Sequence, residues 1–138
     1  MTIIDVGDKQ ENINAWFEME GGGRVHLQLL GTDELEAINK QTIKKQVEYK
    51  RIDGKAERFE YDETDEKLQN ELFWDRVIMN WEKLFDRDKN PIECTRANKI
   101  LLMSRSQKFQ KCVFDGLEEL RKLDAQRTEE AEKNLLTG

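Results

Sequence analysis

Apolar residues alternate with polar ones in two segments near the N-terminus, residues 13–20 and 24–30. This period of two is typical of half-buried strands. Three consecutive glycines, Gly21 to Gly23, lie between the segments, and glycine readily adopts the positive φ values of a tight turn. The pattern therefore predicts a β-hairpin, whose inner face carries Ile13, Ala15, Phe17, Met19, Val25, Leu27 and Leu29.

Helical spacing follows the hairpin, from Leu35 to Val47, and we expect Thr32 or Asp33 to cap this helix. Asp53-Gly54 is a strong signal for a two-residue turn between strands. A second hairpin over residues 47–61 would end the preceding helix near residue 46. A helix that continues beyond that point remains the alternative.

A longer helix is predicted to begin at Thr64, a suitable N-cap residue. Its apolar residues recur at intervals of three and four, which places them on one helical face that must be buried. Asn90 precedes the only proline, Pro91, and this pair is predicted to stop the helix. The face comprises Leu68, Leu72, Trp74, Val77, Ile78, Trp81, Leu84 and Phe85.

The turn over residues 86–91 begins like a calcium-binding loop, with the spacing D-x-D-x-N. Calcium loops of this type need a glycine at the sixth position and a glutamate at the twelfth. Pro91 and Ala97 stand at those positions here, so a turn held by the side chains of Asp or Asn is predicted instead of a metal site.

Two further helices are predicted. Thr95 is expected to cap a short helix, and Ser104-x-x-Gln107 has the spacing of a capping box at the start of the last helix. The last helix keeps an apolar stripe as far as Leu123, after which charged residues dominate. We expect a mainly helical α+β fold, with one or two N-terminal β-hairpins packed on three to four helices and a long C-terminal helix. Residues 1–123 would form one domain, of which 1–12 are a flexible arm where Ile3, Ile4 and Val6 could add a strand, and residues 124–138 would be a charged helical extension and tail.

Composition narrows the class of protein. The 138 residues suffice for one core, and the net charge of -6 argues against a nucleic-acid-binding protein. The sequence shows neither a signal peptide nor an apolar run long enough for a membrane span, which indicates the cytoplasm. Cys94 and Cys112 have no metal-ligand spacing, so we expect free thiols and no cofactor.

Catalytic chemistry finds little support in the sequence. The only histidine, His26, lies in a predicted strand and faces away from Val25 and Leu27. Pairs of carboxylates are frequent among 29 acidic residues and sit at helix starts or on polar faces. The sequence therefore predicts a protein that is not an enzyme.

Large aromatic residues are the candidates for a partner contact, because they dominate the energetics of interfaces. Phe73 and Trp74 are adjacent, so both cannot point toward the same core. For Trp74 and Trp81 taken individually, burial in the core is the favoured interpretation, because a tryptophan at helical spacing among aliphatic residues normally belongs to the core. The candidate partner-binding residues are Phe73, Trp74, Trp81, Phe85 and Pro91.

Residues 81–95, together with Asn98-Lys99 and Leu101-Leu102, resemble a signature of small proteins of long-tailed bacteriophages and prophages. The shared features are a tryptophan, an acidic turn, a proline, a threonine cap and a short leucine-bearing helix. Ala15-Trp16-Phe17 and the segments 31–34, 104–111 and 132–134 are also similar. Asn90 stands where the relatives often have glycine, and Lys83 where the helix often breaks.

The family in question is that of the tail assembly chaperones, which are encoded between the major tail protein and the tape-measure protein. The resemblance implies a protein that binds the tape-measure protein and keeps it soluble until the tail tube polymerises, with the major tail protein as a further partner. Such a protein acts in the cytoplasm of the bacterial host and is absent from the mature virion. A homo-oligomer is one possible assembly. The alternative function is that of a structural minor tail or connector protein that stays in the virion.

Overall fold

The computed structural model describes residues 1–3 and 11–137, and within this part of the chain it contains five strands and four helices. The predicted α+β class, with N-terminal hairpins and a long C-terminal helix, is confirmed. Residues 4–10 of the expected N-terminal arm, among them Ile4 and Val6, lie outside the described residues. In chain order the elements are β1 (Asn14–Glu18), β2 (Arg24–Gln28), α1 (Thr32–Thr42), β3 (Ile43–Ile52), β4 (Lys55–Thr64), α2 (Glu66–Val77), β5 (Ile78–Glu82), α3 (Arg96–Arg105) and α4 (Gln107–Thr137).

The first predicted hairpin is confirmed, although its strands are shorter than the sequence pattern suggested. Strands β1 and β2 pair antiparallel, with Phe17 opposite Val25. Gly21 and Gly22 adopt φ values of 91° and 93° in the connecting turn, a conformation that side chains with a Cβ disfavour. The predicted inner face is also confirmed, because Val25 and Leu27 are buried and the apolar residues of β1 pack beside them.

The prediction of one helix through Phe85 is wrong. Helix α2 ends at Val77, and the next five residues form β5, which pairs antiparallel with β2. The sheet therefore has the order β1-β2-β5. The pairing slips by one residue at Met79, so that Ile78 lies opposite Leu27 and Trp81 opposite Val25. Tertiary pairing with β2 has overridden the local helical pattern.

The second hairpin is confirmed, and it is longer than residues 47–61. Strands β3 and β4 run from Ile43 to Thr64 around a two-residue turn, in which Asp53 and Gly54 have φ values of 53° and 79°. Helix α1 consequently ends at Thr42 and not near residue 46. The β-branched and aromatic residues that follow Thr42 favour the strand.

The predicted helix caps are partly correct. Thr95 accepts a hydrogen bond from the Asn98 backbone N–H at 3.2 Å and caps α3 as expected. The other three predicted caps are wrong: α1 has no side-chain cap, and the caps of α2 and α4 lie one and two residues after the expected ones. Gly31 precedes α1 without a side-chain cap where Thr32 or Asp33 was expected, Asp65 replaces Thr64 before α2, and Ser106 replaces Ser104 before α4.

The core lies between the three-stranded sheet and α4, with α2 and α3 closing its side. Helix α1 packs on α2, α2 on α3, and α3 on α4, which in turn covers β1 and β2. The second half of α4 continues past this core to Thr137, and its side chains from Glu129 to Leu135 are exposed. The buried apolar residues shared by these elements are Val25, Leu27, Val77, Ile78, Trp81, Met103, Phe109, Val113, Leu117 and Leu120.

Candidate partner-binding surface

Trp74 lies on α2, where its ring is only partly buried. Phe114 of α4 meets it edge to face, with the ring centroids 5.7 Å apart and an interplanar angle of 75°. Phe73 also meets the indole edge to face, at 4.8 Å and 73°. Edge-to-face pairs of this kind hold aromatic rings in fixed positions. Phe114 nevertheless remains 52% exposed.

A shallow depression of about 210 Å³ adjoins Trp74, between α2 and α3. Its apolar part consists of Trp74, Ile100 and Met103, and these residues together with Phe114 are called the Trp74 surface below. The other lining residues are polar, and ligand sites commonly combine an apolar lining with a few polar groups. The polar lining residues are Lys67, Asn70, Glu71 and Ser104.

Two ion pairs hold α2 and α3 in the geometry that forms this surface. The buried Lys99 donates from Nζ to the backbone oxygen of Asp75 at 2.9 Å and to its carboxylate at 3.2 Å. Arg96 Nη2 lies 3.6 Å from Glu71 Oε2 at the rim. A nearly buried ammonium that meets two oxygen acceptors is well compensated, so Lys99 fixes the position of α3.

Trp81 belongs to the core and not to an exposed surface. Only 6% of its surface is accessible, and its ring meets Phe109 edge to face at 5.7 Å. The indole Nε1 donates to the backbone oxygen of Ile92 at 2.7 Å, which satisfies its one donor. The favoured interpretation, a core tryptophan, is therefore correct for this residue.

Phe85 and Pro91 lie together at the ends of the turn after β5, and Phe85 is 58% exposed. The Asp86 carboxylate accepts hydrogen bonds from the backbone N–H groups of Asp88 and Asn90, both at 2.9 Å, so the predicted Asx-type turn is confirmed. A separate depression of about 290 Å³ lies beside Phe85. It shares no lining residue with the Trp74 depression, so the five predicted residues divide between two surfaces and the core.

The outer face of the sheet carries an aromatic cluster that the sequence pattern does not reveal. The rings of Trp16 and His26 stack at 4.7 Å, and the Arg24 guanidinium lies 4.3 Å from the centroid of the Trp16 ring. Arg24 also donates to Glu82 at 2.7 Å, and this bond lowers the pKa of the Glu82 carboxyl. Since His26 in turn bonds Asn14 at 2.8 Å, these groups satisfy one another and form a packed sheet face.

The two cysteines are free thiols, as expected, and both are partly buried. Desolvation raises the pKa of each thiol, which leaves less of the reactive thiolate near neutral pH. Within the described part of the chain, no three His, Cys, Asp or Glu side chains come together in a way that could hold a metal ion.

Comparison with protein-family models, with curated proteins and with solved structures finds no match for this chain. Among the described residues, no helix combines the length and apolar character needed to cross a bilayer.

Proposed function

We propose that this protein is a tail assembly chaperone of a bacteriophage or prophage, which binds the tape-measure protein and keeps it soluble in the host cytoplasm. The observation that carries the proposal is the Trp74 surface, a small apolar patch on a chain in which 38% of residues are charged. The sequence resemblance supplies the identity of the partner. No enzymatic step is part of the proposed role.

The apolar character of the surface suits one face of an amphipathic helix. Such helices bind by placing a few apolar side chains at i, i+3, i+4 and i+7 into a hydrophobic groove. Trp74, Ile100 and Met103 supply apolar contacts from α2 and α3, and the exposed ring of Phe114 extends them from α4. Met103 lines the depression with only 9% of its surface accessible, so the greater part of the contact would come from Trp74, Ile100 and Phe114.

Co-expression with the tape-measure protein of the same genome tests the proposal. Wild-type protein should bring the tape-measure chain into the soluble fraction, and Phe114→Ala should weaken that complex roughly tenfold or more, as loss of an interface aromatic does. Phe114 is about half exposed, so its truncation leaves the core largely intact.

Leu123→Ala is the matched control, because Leu123 is 50% exposed on the same helix. Nine residues at about 100° each place it on the opposite flank of α4 from Phe114. It should leave binding unchanged. A tape-measure protein that stays insoluble with wild-type protein argues against the function, whereas binding that survives both Phe114→Ala and Trp74→Ala argues against the surface.

The alternative of a permanent minor tail or connector protein differs in where the protein ends up. A chaperone should be present in infected or induced cells and absent from purified virions. Mass spectrometry of mature particles measures this directly, and one or more copies per virion would favour the structural role.

A further inference from the structure

The hairpin of β3 and β4 projects from the rest of the described structure. Each strand has ten residues, which corresponds to roughly 33 Å of extended chain. Nearly all of their side chains are exposed. The hairpin joins the body at its base, where the Asp65 N–H donates to the Thr42 backbone oxygen at 2.7 Å and Lys44 lies 3.4 Å from the Asp65 carboxylate.

Both long edges of this hairpin are open among the described residues, because β3 and β4 pair only with each other. In an antiparallel pair, every second residue of each strand turns its N–H and C=O outward. A two-stranded ribbon is by itself marginally stable in water, and an open edge is a template for another strand. The unpaired N–H and C=O groups along each edge of the hairpin can therefore form hydrogen bonds with a third strand.

Opposite charges distinguish the two edges. Strand β3 carries four cationic residues and one acidic residue, whereas β4 carries four acidic residues and two cationic ones. Pairing of β3 with a second β3, or of β4 with a second β4, would bring like charges together, which destabilises a sheet. The charged residues of β3 are Lys44, Lys45, Glu48, Lys50 and Arg51, and those of β4 are Lys55, Glu57, Arg58, Glu60, Asp62 and Glu63.

Pairing of β4 with the β3 strand of another copy has the opposite consequence. If two hairpins lie side by side in the same orientation, β4 of one runs antiparallel to β3 of the next. The register already present within the hairpin would then place Lys45 of one copy opposite Asp62 of the other, and Lys44 opposite Glu63. Cross-strand ion pairs of this kind are stabilising, so the sequence of charges favours the mixed pairing alone.

We propose that copies of this chain associate through these hairpins, the basic β3 edge of one copy pairing with the acidic β4 edge of the next. The contact is heterologous, so each added copy leaves one β3 edge and one β4 edge open. The assembly therefore grows into a closed ring or an open filament and not into a symmetric dimer. This association is independent of the Trp74 surface and of the proposed tape-measure partner.

Charge reversal on one edge at a time tests the proposal with the full-length protein. One variant, Lys45→Glu with Arg51→Glu, makes both edges acidic, and a second, Glu60→Lys with Asp62→Lys, makes both edges basic. Light scattering after size exclusion, over a wide range of protein concentration, should show assembly of the wild type. Each reversed variant should need roughly tenfold more protein or higher to assemble.

Mixing the two reversed variants is the decisive measurement. The acidic β3 edge of the first variant then meets the basic β4 edge of the second, so assembly should return at wild-type concentrations. Restoration also shows that both hairpins are folded, since an unfolded hairpin could not be rescued by its partner. Lys45→Arg with Arg51→Lys preserves every charge and should assemble like the wild type.

Three outcomes would overturn the proposal: a wild-type protein that is monomeric at every concentration, reversed variants that assemble as well as the wild type, or reversed variants that stay monomeric when mixed. A monomeric wild type would mean that no second copy binds the hairpin edge. Reversed variants that assemble normally, or that are not restored by mixing, would mean that any self-association uses another part of the molecule.

Discussion

Gly116 lies where α4 crosses the inner face of the sheet. A Cβ atom at this position would stand 2.8 Å from Leu27 Cδ1 and 2.9 Å from Phe17 Cδ2, closer than carbon atoms pack. The glycine therefore lets the helix approach β1 and β2 directly. Its role is close packing, because it sits inside a regular helix, where glycine is otherwise unfavourable.

Gly116→Ala tests this interpretation. Alanine gains about 1 kcal/mol of helix propensity, but overpacking a core costs about 1–3 kcal/mol. We expect the free energy of unfolding to fall by roughly 1 kcal/mol, measured by urea denaturation. Asp115→Ala, at the exposed neighbouring position, carries only the propensity gain and should not destabilise the protein. A more stable Gly116→Ala variant would show that the helix and sheet have room to move apart.

Asp65 links stability to pH. Its carboxylate accepts a hydrogen bond from the Leu68 N–H at 3.1 Å, and this bond, helped by Lys44, lowers the pKa of Asp65 below its ordinary value of 3.8. A lowered pKa in the folded state means that the ionised form favours folding. The contribution is therefore complete above the unfolded pKa of 3.8 and is lost as the pH falls through the lower, folded value.

Asp65→Ala should accordingly be less stable than the wild type at pH 7, and the difference should shrink once the pH falls below the unfolded pKa. Thermal denaturation at a series of pH values measures it. Asp65→Asn is the control, since asparagine also caps helices but does not titrate, and its own cap should persist at acidic pH. A difference between wild type and Asp65→Ala that stays constant down to the acid transition would contradict the assignment of Asp65 as the titrating cap.

At the scale of elements, the turns were the features most accessible to prediction. Asp53-Gly54 and the glycine triplet demand positive φ values, and few other local sequences meet that demand. Helix ends were harder to predict, because a second residue with the same capping chemistry lies close to each true cap. Thr64 precedes Asp65, and Ser104 lies two residues before Ser106. Local chemistry alone does not choose between them.

Strand β5 was missed because a bulge reproduces helical spacing. Ile78 and Trp81 are three residues apart, and in a regular strand they would face opposite sides of the sheet. The extra residue, Met79, turns both of them toward the core opposite Leu27 and Val25. The i, i+3 spacing therefore arises from a bulged strand here, and only the pairing with β2 distinguishes it from a helix.

Only part of the candidate site could be predicted from the sequence. Phe73 and Trp74 were identified because adjacent helical positions point in different directions, although both prove to be partly buried and packed against the core. Phe114 was missed, although a signal existed: it falls between the stripe positions Val113 and Leu117 and therefore off the buried face of α4. The edge-to-face contact between Trp74 and Phe114 depends on how α2 and α4 pack together, and the local sequence around either residue does not determine that packing.

Removal of the β3–β4 hairpin is the corresponding prediction for an element. Because the Asp65 N–H bonds the Thr42 oxygen at 2.7 Å, a short glycine-containing turn in place of residues 43–64 can reconnect α1 to α2. The core cluster contains no residue of the hairpin, so we expect the melting temperature to change by only a few degrees, as measured by circular dichroism. Size exclusion should show a monomer. A shortened chain that fails to fold would show that the hairpin stabilises the body.

The molecule as a whole consists of one compact core and two extensions whose side chains are mostly exposed. Val25, Leu27, Val113 and Leu120 are fully buried where α4 packs on the sheet. The hairpin and the second half of α4 extend away from this core, with mostly exposed side chains. Elements with few buried apolar contacts open at lower free energy than the core does.

Hydrogen exchange of the intact protein should reproduce this division. Amides of β2 and of residues 113–120 should exchange only on global unfolding, whereas those of β3, β4 and residues 129–137 should exchange much sooner, because local opening there exposes little apolar surface. At concentrations where copies associate, the hairpin amides should become protected while those of residues 129–137 stay unchanged, which makes the helix end an internal control. Equal protection of all three regions at low concentration would instead mean that the extensions open only together with the core.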